Sequence, residues 1–150
     1  DRHFRMLEDF GIEMLTVPLT NDGPDIESLK LLMKTNENIV GMLCVPRHSN
    51  PSGEVYSDSN LRDIFNIGIS YSKDFLFIFD NAYLVHDFMP TKSQKPIWEI
   101  ATEESASAQV VEVTSFSKVT FGGGGLSFMA ASGKNLSLII PKDPIKRINN

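Results

Sequence analysis

Short apolar runs that alternate with amphipathic segments constrain the fold of this chain more than any other feature. The runs occupy residues 39–45, 75–79 and 110–113, and each is followed directly by proline or a polar residue. Runs of this length, bounded by turn-forming residues, are typical of strands buried in a sheet. Strands that alternate with helices form parallel crossover units. The pattern therefore predicts an α/β fold in which a mostly parallel sheet carries helices on both faces.

The segments between these runs have apolar residues at helical spacing. Asp25 and Ser57 precede two of the segments and are favourable N-cap residues. Gly11 follows the first amphipathic stretch, a position typical of a helix C-terminus. We predict helices over residues 4–10, 25–34, 58–69, 97–101 and 135–140, short strands over residues 12–17 and 126–131, and a turn over residues 20–24.

The charge and cysteine content of the chain argue against several classes of function. The formal net charge is −5 and the pI is about 5.1, which disfavours nucleic acid or an anionic membrane as a partner. No apolar stretch reaches the roughly 20 residues of a membrane span, and the first residues lack a signal-peptide pattern. Cys44 is the only cysteine, so neither a disulfide framework nor a cysteine-based zinc site is expected. These features predict a cytoplasmic protein.

Both ends of the chain have the pattern of an interrupted structure. The sequence begins at Asp1, already inside an amphipathic helical pattern. Near the other end, Asp143 and Pro144 have the pattern of a helix start, but the chain stops at Asn150 after little more than one turn. We expect the chain to be a segment of a longer protein.

Polar side chains follow the predicted strands where each strand ends. In parallel α/β sheets, ligands bind outside the carboxyl ends of the strands. The groups found there suit pyridoxal 5′-phosphate (PLP), because an amine can hold its aldehyde as a Schiff base, a carboxylate can pair with its pyridinium nitrogen, and neutral donors can bind its ring hydroxyl. The residues are an amide (Asn50), a carboxylate and a phenol (Asp80 and Tyr83), and an amine beside two hydroxyls (Lys118, Ser115 and Ser117).

Each of these residues also has a plainer interpretation when it is considered alone. Asp80 is suited to cap the turn that follows it, Tyr83 to lie in the core, and Asn50 to form a turn with the proline after it. His48 and His86 are close enough to the motifs to reach a substrate, but histidines in such loops more commonly serve in packing or hydrogen bonding. The order of the motifs along the chain is what favours a cofactor site.

Three motifs in this order resemble those of the fold-type I PLP-dependent aminotransferases, which are also called the class I/II or aspartate aminotransferase superfamily. The motifs read NPSG from Asn50, DNAY from Asp80 and SFSK from Ser115. The sequence most resembles the MocR-like aminotransferase subgroup, and the resemblance extends from about Phe10 to about Ala131. It implies that residues 1–150 are part of the large PLP-binding domain, without the N-terminal segment and the C-terminal small domain. It also implies a homodimer that acts on an amino acid and a 2-oxo acid.

The same resemblance implies a role for each residue of the motifs. Lys118 would form the Schiff base with PLP and move a proton between the substrate α-carbon and the cofactor. Asp80 would pair with the pyridine nitrogen. Asn50 and Tyr83 would hydrogen-bond the ring hydroxyl. The expected catalytic residues are therefore Lys118, Asp80 and Tyr83.

The cofactor phosphate is where this sequence departs from the family pattern. Ser115 and Ser117 would contact the phosphate, as the resemblance implies. Most members also place a phosphate-binding arginine eight residues after the lysine, where this chain has Leu126. We expect the backbone N–H groups of the glycines at 122–125 to form an anion-binding nest in its place.

The sequence thus predicts a PLP-dependent aminotransferase that works through a Schiff base on Lys118. A PLP-dependent lyase is the nearest alternative, because its first chemical steps are the same. A further alternative is the ligand-sensing domain of a transcription regulator with an aminotransferase-like body. That alternative predicts a basic helix-turn-helix segment before Asp1. We expect the 150 residues alone to be inactive, because the family site also uses residues outside them.

Overall fold

The computed structural model describes residues 2–88, 94–122 and 125–140 of the chain. The helices are α1 (Arg2–Asp9), α2 (Ile26–Thr35), α3 (Asp58–Tyr71), α4 (Ile97–Glu103) and α5 (Gly133–Ile139). The strands are β1 (Leu19–Thr20), β2 (Gly23–Pro24), β3 (Gly41–Cys44), β4 (Leu76–Asp80), β5 (Val110–Ser115) and β6 (Ser127–Ala131). Single turns of 3-10 helix lie at Ser107–Gln109 and Phe116–Lys118.

The main sheet has the strand order β3-β4-β5-β6. The β3–β4 and β4–β5 pairs are parallel, and β5–β6 is antiparallel. Helix α3 connects β3 to β4, and α4 lies between β4 and β5, as parallel pairing requires. The connection from β5 to β6 is short, with a single turn of helix in its described part, and β6 returns antiparallel. The predicted α/β fold with a mostly parallel sheet is confirmed.

The core is built on alternate residues of the β4 segment. Phe75, Phe77 and Phe79 are buried, and the Phe65 ring of α3 meets the last two edge-on at centroid distances of 5.0 and 5.7 Å. Helices α2 and α4 extend the same cluster. Because side chains alternate across a strand, the residues between the phenylalanines point to the other face, where they are only half-buried. Those residues are Leu76, Ile78 and Asp80.

Two of the predicted helix starts, those of α2 and α3, are confirmed by their caps. A side-chain oxygen of Asp25 accepts a hydrogen bond from the Ser28 N–H at 2.7 Å, and the Ser57 hydroxyl accepts one from the Asn60 N–H at 3.2 Å. Gly11 has a φ of +72° just after α1, as a C-terminal glycine should. The last helix begins at Gly133 rather than Asn135.

Two predictions about the chain need correction or lie beyond the described residues. The strand predicted over residues 12–17 is wrong. Ile12 and Leu15 are exposed, and this segment has no strand partner among the described residues. The turn predicted next to it is present and closes the short antiparallel β1–β2 hairpin. The helix start at Asp143 and Pro144 lies outside the described residues.

None of the described helices has the length and apolar character that spanning a membrane requires.

We predict that Gly68→Ala lowers the free energy of unfolding by about 1–3 kcal/mol, the usual cost of overpacking a core. A Cβ atom at this position of α3 would lie 2.4 Å from Cζ of Phe77 and 2.7 Å from Cδ1 of Phe75. This clash outweighs the roughly 1 kcal/mol by which alanine favours a helix over glycine. The midpoint of urea unfolding measures the effect.

Gly133→Ala is the matched control, because a Cβ at this helical position meets nothing within 4 Å. It should leave the unfolding midpoint unchanged or raise it slightly. Equal midpoints for the two variants would show that α3 is not packed on β4 as described.

Candidate active site

The segments that follow β3, β4 and β5 meet at the carboxyl edge of the sheet. The Asn50 side-chain amide donates a hydrogen bond to the Tyr83 hydroxyl at 3.0 Å. The Lys118 Nζ atom lies 6.0 Å from the centroid of the Tyr83 ring. The fold therefore brings together three of the residues singled out in the sequence, one from each strand end.

Asp80 occupies the last position of β4, on the half-buried face of the sheet. It pairs in register with Val113, so Asp80, Val113 and Ser115 share one face of the sheet. The Asp80 carboxylate accepts a hydrogen bond from the Ala82 N–H at 3.2 Å, as in the turn-capping interpretation. This geometry turns the carboxylate away from the phenylalanine core and towards the accessible face.

The turn that carries Lys118 is held by two serine side chains. The Ser115 hydroxyl accepts a hydrogen bond from the Ser117 N–H at 3.2 Å and donates one to the Ser117 hydroxyl at 2.9 Å. The chain then returns close to this turn at Gly125, where a Cβ would lie 2.6 Å from the Ser117 nitrogen. The lysine side chain, on the short 3-10 turn Phe116–Lys118, is exposed.

Asn81 fixes the segment that bears Asp80 and Tyr83, a role that sequence reasoning missed. Its side chain is buried and donates to a Glu112 carboxylate oxygen at 2.8 Å. Its backbone N–H donates to the Val113 carbonyl at 2.8 Å, and its carbonyl accepts from the Thr114 hydroxyl at 3.0 Å. Three hydrogen bonds therefore tie this segment to β5, the strand that leads to Lys118. The sequence signal for this role is the position of Asn81 directly after the predicted strand, between Asp80 and Tyr83, whose side chains have clearer chemical roles.

His86 lies between Tyr83 and the lysine turn. The two rings meet edge-on with centroids 5.5 Å apart, and His86 Nε2 is 3.4 Å from the Lys118 carbonyl oxygen. Because a carbonyl only accepts, this contact places a hydrogen on Nε2. Nδ1 is buried and has no hydrogen-bond partner within the described part of the chain. The packing interpretation of His86 agrees with these contacts.

A second missed feature joins the loops that carry Asn50 and Tyr83. Arg47 contacts both carboxylate oxygens of Asp87, through Nε at 3.3 Å and through a shorter contact from Nη2. His48 Nε2 lies 2.7 Å from the Oδ1 atom of the same carboxylate. Hydrogen bonds from Arg47 and His48 hold the pKa of the Asp87 carboxyl below its ordinary value. Sequence reasoning considered only His48, because the pairing joins residues about forty positions apart.

Phosphate and metal ligands can be assessed only where the chain is described. Leu126, which stands where the resemblance leads us to expect an arginine, is exposed. Of the glycines at 122–125, positions 123 and 124 lie outside the described residues, so the predicted nest stays a prediction. Within the described ranges, no group of three or more histidine, cysteine, aspartate or glutamate residues is arranged to hold a metal ion. The Cys44 thiol is buried, and burial raises its pKa to about 12.

Proteins similar to this chain carry aminotransferase names. The sequence profile of the family described as "Aspartate amino-transferase" matches residues 1–148. A Mycolicibacterium smegmatis protein named as an aminotransferase is 37% identical over 139 residues, which make up 91% of this chain and 32% of that protein. The chain spans about a third of the length of the curated relatives it matches.

Solved structures agree with these sequence matches. An aspartate transaminase from Corynebacterium glutamicum aligns with a TM-score of 0.78 at 33% identity, over 89% of this chain and 31% of its own. A PLP-bound C–S lyase from Staphylococcus hominis aligns with a TM-score of 0.71 over 89% of this chain and 34% of its own. At 19% identity, the lyase shares the fold alone. With a family profile that covers nearly all of its length, this chain belongs to the aspartate aminotransferase family.

Proposed function

We propose that this chain carries the cofactor-binding centre of a PLP-dependent aminotransferase, which moves an amino group between an amino acid and a 2-oxo acid. The observation that carries the proposal is the meeting of Asn50, Tyr83 and Lys118 at one edge of the sheet. An amide and a phenol beside an exposed lysine amine have little structural purpose, since none of them fills the core.

The donor set at this edge fits PLP. Asn50 donates to the Tyr83 oxygen, which leaves the proton of the phenol available for an oxygen of the cofactor ring. Ser115 donates to the Ser117 oxygen in the same way, so the Ser117 proton is available for a phosphate oxygen. Asp80 supplies a carboxylate on the accessible face of the sheet, where it can bind a protonated ring nitrogen.

Bound PLP supplies an aldehyde that captures amines and a ring that stabilises negative charge at the substrate α-carbon. Lys118 would hold the aldehyde carbon before substrate arrives and would then carry the proton away from the α-carbon and back. Asp80 would keep the ring nitrogen protonated. Tyr83, oriented by Asn50, would hold the ring oxygen through its hydroxyl. Ser115 and Ser117, with backbone N–H groups of the glycine-rich segment, would bind the phosphate without an arginine at position 126.

Other features of the whole protein follow from membership of the family. We propose that residues 1–150 are part of the large PLP-binding domain, and that further segments and a second subunit complete the site in a cytoplasmic homodimer. The matched proteins with more than 30% identity are named as aminotransferases, which favours the enzyme over a ligand-sensing regulator. The fold by itself does not separate a transaminase from a lyase, because the C–S lyase shares it.

The reaction class is tested with the complete protein that contains this sequence. The protein is loaded with PLP and given a mixture of amino acids and 2-oxo acids. We expect each 2-oxo acid formed to be matched by an equal amount of new amino acid, with no release of ammonia. Release of ammonia together with a 2-oxo acid would indicate a lyase instead. Binding without turnover would indicate a sensor.

We predict that Lys118→Ala abolishes the visible absorption of lysine-linked PLP and slows amino transfer by about 10²–10⁴-fold, the usual contribution of a positioned acid–base group. Lys134→Ala is the control, because Lys134 is an exposed lysine whose carboxylate contact, with Asp74, is as long as 3.9 Å. Its absorption spectrum and rate should equal those of the natural protein. If the Lys118→Ala protein kept the absorption band, Lys118 would not be the residue that links PLP.

We predict that Gly125→Ala weakens PLP binding by about tenfold, in line with the cost of overpacking. The new Cβ would lie 2.6 Å from the Ser117 nitrogen and 2.8 Å from its Oγ, and would displace the hydroxyl proposed to bind phosphate. Gly133→Ala is the matched control, because its Cβ meets nothing within 4 Å and Gly133 lies in α5, outside the glycine-rich segment. The two dissociation constants are measured by equilibrium titration with PLP. Equal effects at the two glycines would mean that Ser117 does not hold the phosphate.

A further inference from the structure

Two loops that supply site residues are joined by a cluster of three side chains, Arg47, His48 and Asp87, which we call the Asp87 clamp. Arg47 binds the carboxylate through Nε and Nη2, and His48 binds it through Nε2. Two donor side chains from one loop therefore converge on a single acceptor in the other. A carboxylate bound at both oxygens by a guanidinium is held in direction as well as in distance.

The three side chains of the Asp87 clamp are partly shielded from solvent. The Arg47 side chain is 13% exposed, His48 is 22% exposed and Asp87 is 35% exposed. Ion pairs that are partly withdrawn from water are screened less than those on the open surface. His48 also has a backbone φ of 51°, a conformation that a non-glycine residue keeps only when its surroundings hold it. Its contact with Asp87 is one of the interactions that do so.

The position of the clamp connects it to the candidate active site. Arg47 and His48 directly precede the turn that carries Asn50, and Asp87 lies four residues after Tyr83 in the other loop. Asn50 is itself exposed, and its side-chain amide donates a hydrogen bond to the Tyr83 hydroxyl. A bond between two side chains on separate loops forms only when the loops are held in register. The clamp is a charged contact between these two loops.

We propose that Asp87 is a positioning residue that holds the Asn50 amide and the Tyr83 hydroxyl in hydrogen-bonding register, and so fixes the donor that meets the ring oxygen of the cofactor. The part of this inference that concerns the cofactor rests on the proposed function. The part that concerns the register of the loops does not. Asp87 touches neither the substrate nor the cofactor and acts through Tyr83.

The test compares Asp87→Asn with Glu104→Gln in the complete protein. Glu104 is a matched control, because Arg62 and Asn66 bind its carboxylate at 2.6 and 3.0 Å, as an arginine and a second side chain bind Asp87. It lies at the end of α4, away from the loops of the site. The ligand is 4′-deoxypyridoxine 5′-phosphate, which lacks the aldehyde and therefore binds without a bond to Lys118.

We expect Asp87→Asn to raise the dissociation constant of this ligand about fivefold to tenfold, comparable to the loss of one hydrogen bond. It should also shift the pH midpoint of the visible absorption of the PLP-loaded protein. Glu104→Gln should change neither quantity. Arg47→Gln, which removes the donor side of the clamp, should act in the same direction as Asp87→Asn. Equal effects of Asp87→Asn and Glu104→Gln would overturn the proposal.

A double-mutant cycle separates positioning from a general loss of stability. If Asp87 acts through Tyr83, the effect of Asp87→Asn on ligand affinity should disappear in a Tyr83→Phe protein. Additive effects of the two substitutions would contradict the proposal. If the natural protein binds neither the ligand nor PLP, the proposed function fails. The clamp is then judged from a crystal structure of Asp87→Asn without ligand, where a parted Asn50–Tyr83 pair supports it and an intact pair overturns it.

Discussion

The packing of alternate phenylalanines from the β4 segment on helix α3 decides where the chemistry of this chain lies. Phe77 and Phe79 meet the Phe65 ring edge-on, an arrangement that aromatic pairs favour beyond the area they bury. Because β4 alternates, burying these rings turns Ile78 and Asp80 to the other face. The carboxylate at the end of the strand is thus directed to the accessible face by the same contact that forms the core. A one-residue slip of β4 would bury Asp80 and expose the phenylalanines.

Beyond the strand ends, the site depends on polar contacts between segments. Asn81 is buried and joins the segment after β4 to β5 with hydrogen bonds, which are costly to break because the buried asparagine groups would be left unpaired. Farther from the sheet, the Asp87 clamp joins the loops that carry Asn50 and Tyr83 with partly exposed charges. The support therefore changes from the hydrogen bonds of a buried asparagine near the sheet to partly exposed ion pairs at the loops.

Local patterns in the sequence predicted the parts of the structure that depend on interactions between neighbouring residues. The pattern of neighbouring residues was enough to predict the capped starts of α2 and α3 and the strand that ends at Asp80. The short apolar segment at residues 12–17 has the same local pattern but no partner strand among the described residues, and pairing is a property of the tertiary fold. For the same reason, the contacts of Asn81 with Glu112 and of Arg47 with Asp87 could not be read locally. The motifs predicted which residues meet, whereas the residues that hold them in place became visible only in three dimensions.

The proposed site would bind its phosphate without an arginine at position 126, and the chain packs closely around the lysine turn. An arginine attracts a phosphate through its charge, which acts over several ångströms and tolerates small displacements. Hydroxyl and N–H donors act through hydrogen bonds, which weaken steeply away from ideal distance and angle. A site that relies on such donors needs a tighter scaffold, and Ser117 is held by the Ser115 hydroxyl on one side and by the close approach of Gly125 on the other. In the proposed site, the close approach of Gly125 and the leucine at 126 therefore belong together, because precisely placed hydrogen-bond donors would bind the phosphate in place of a positive charge.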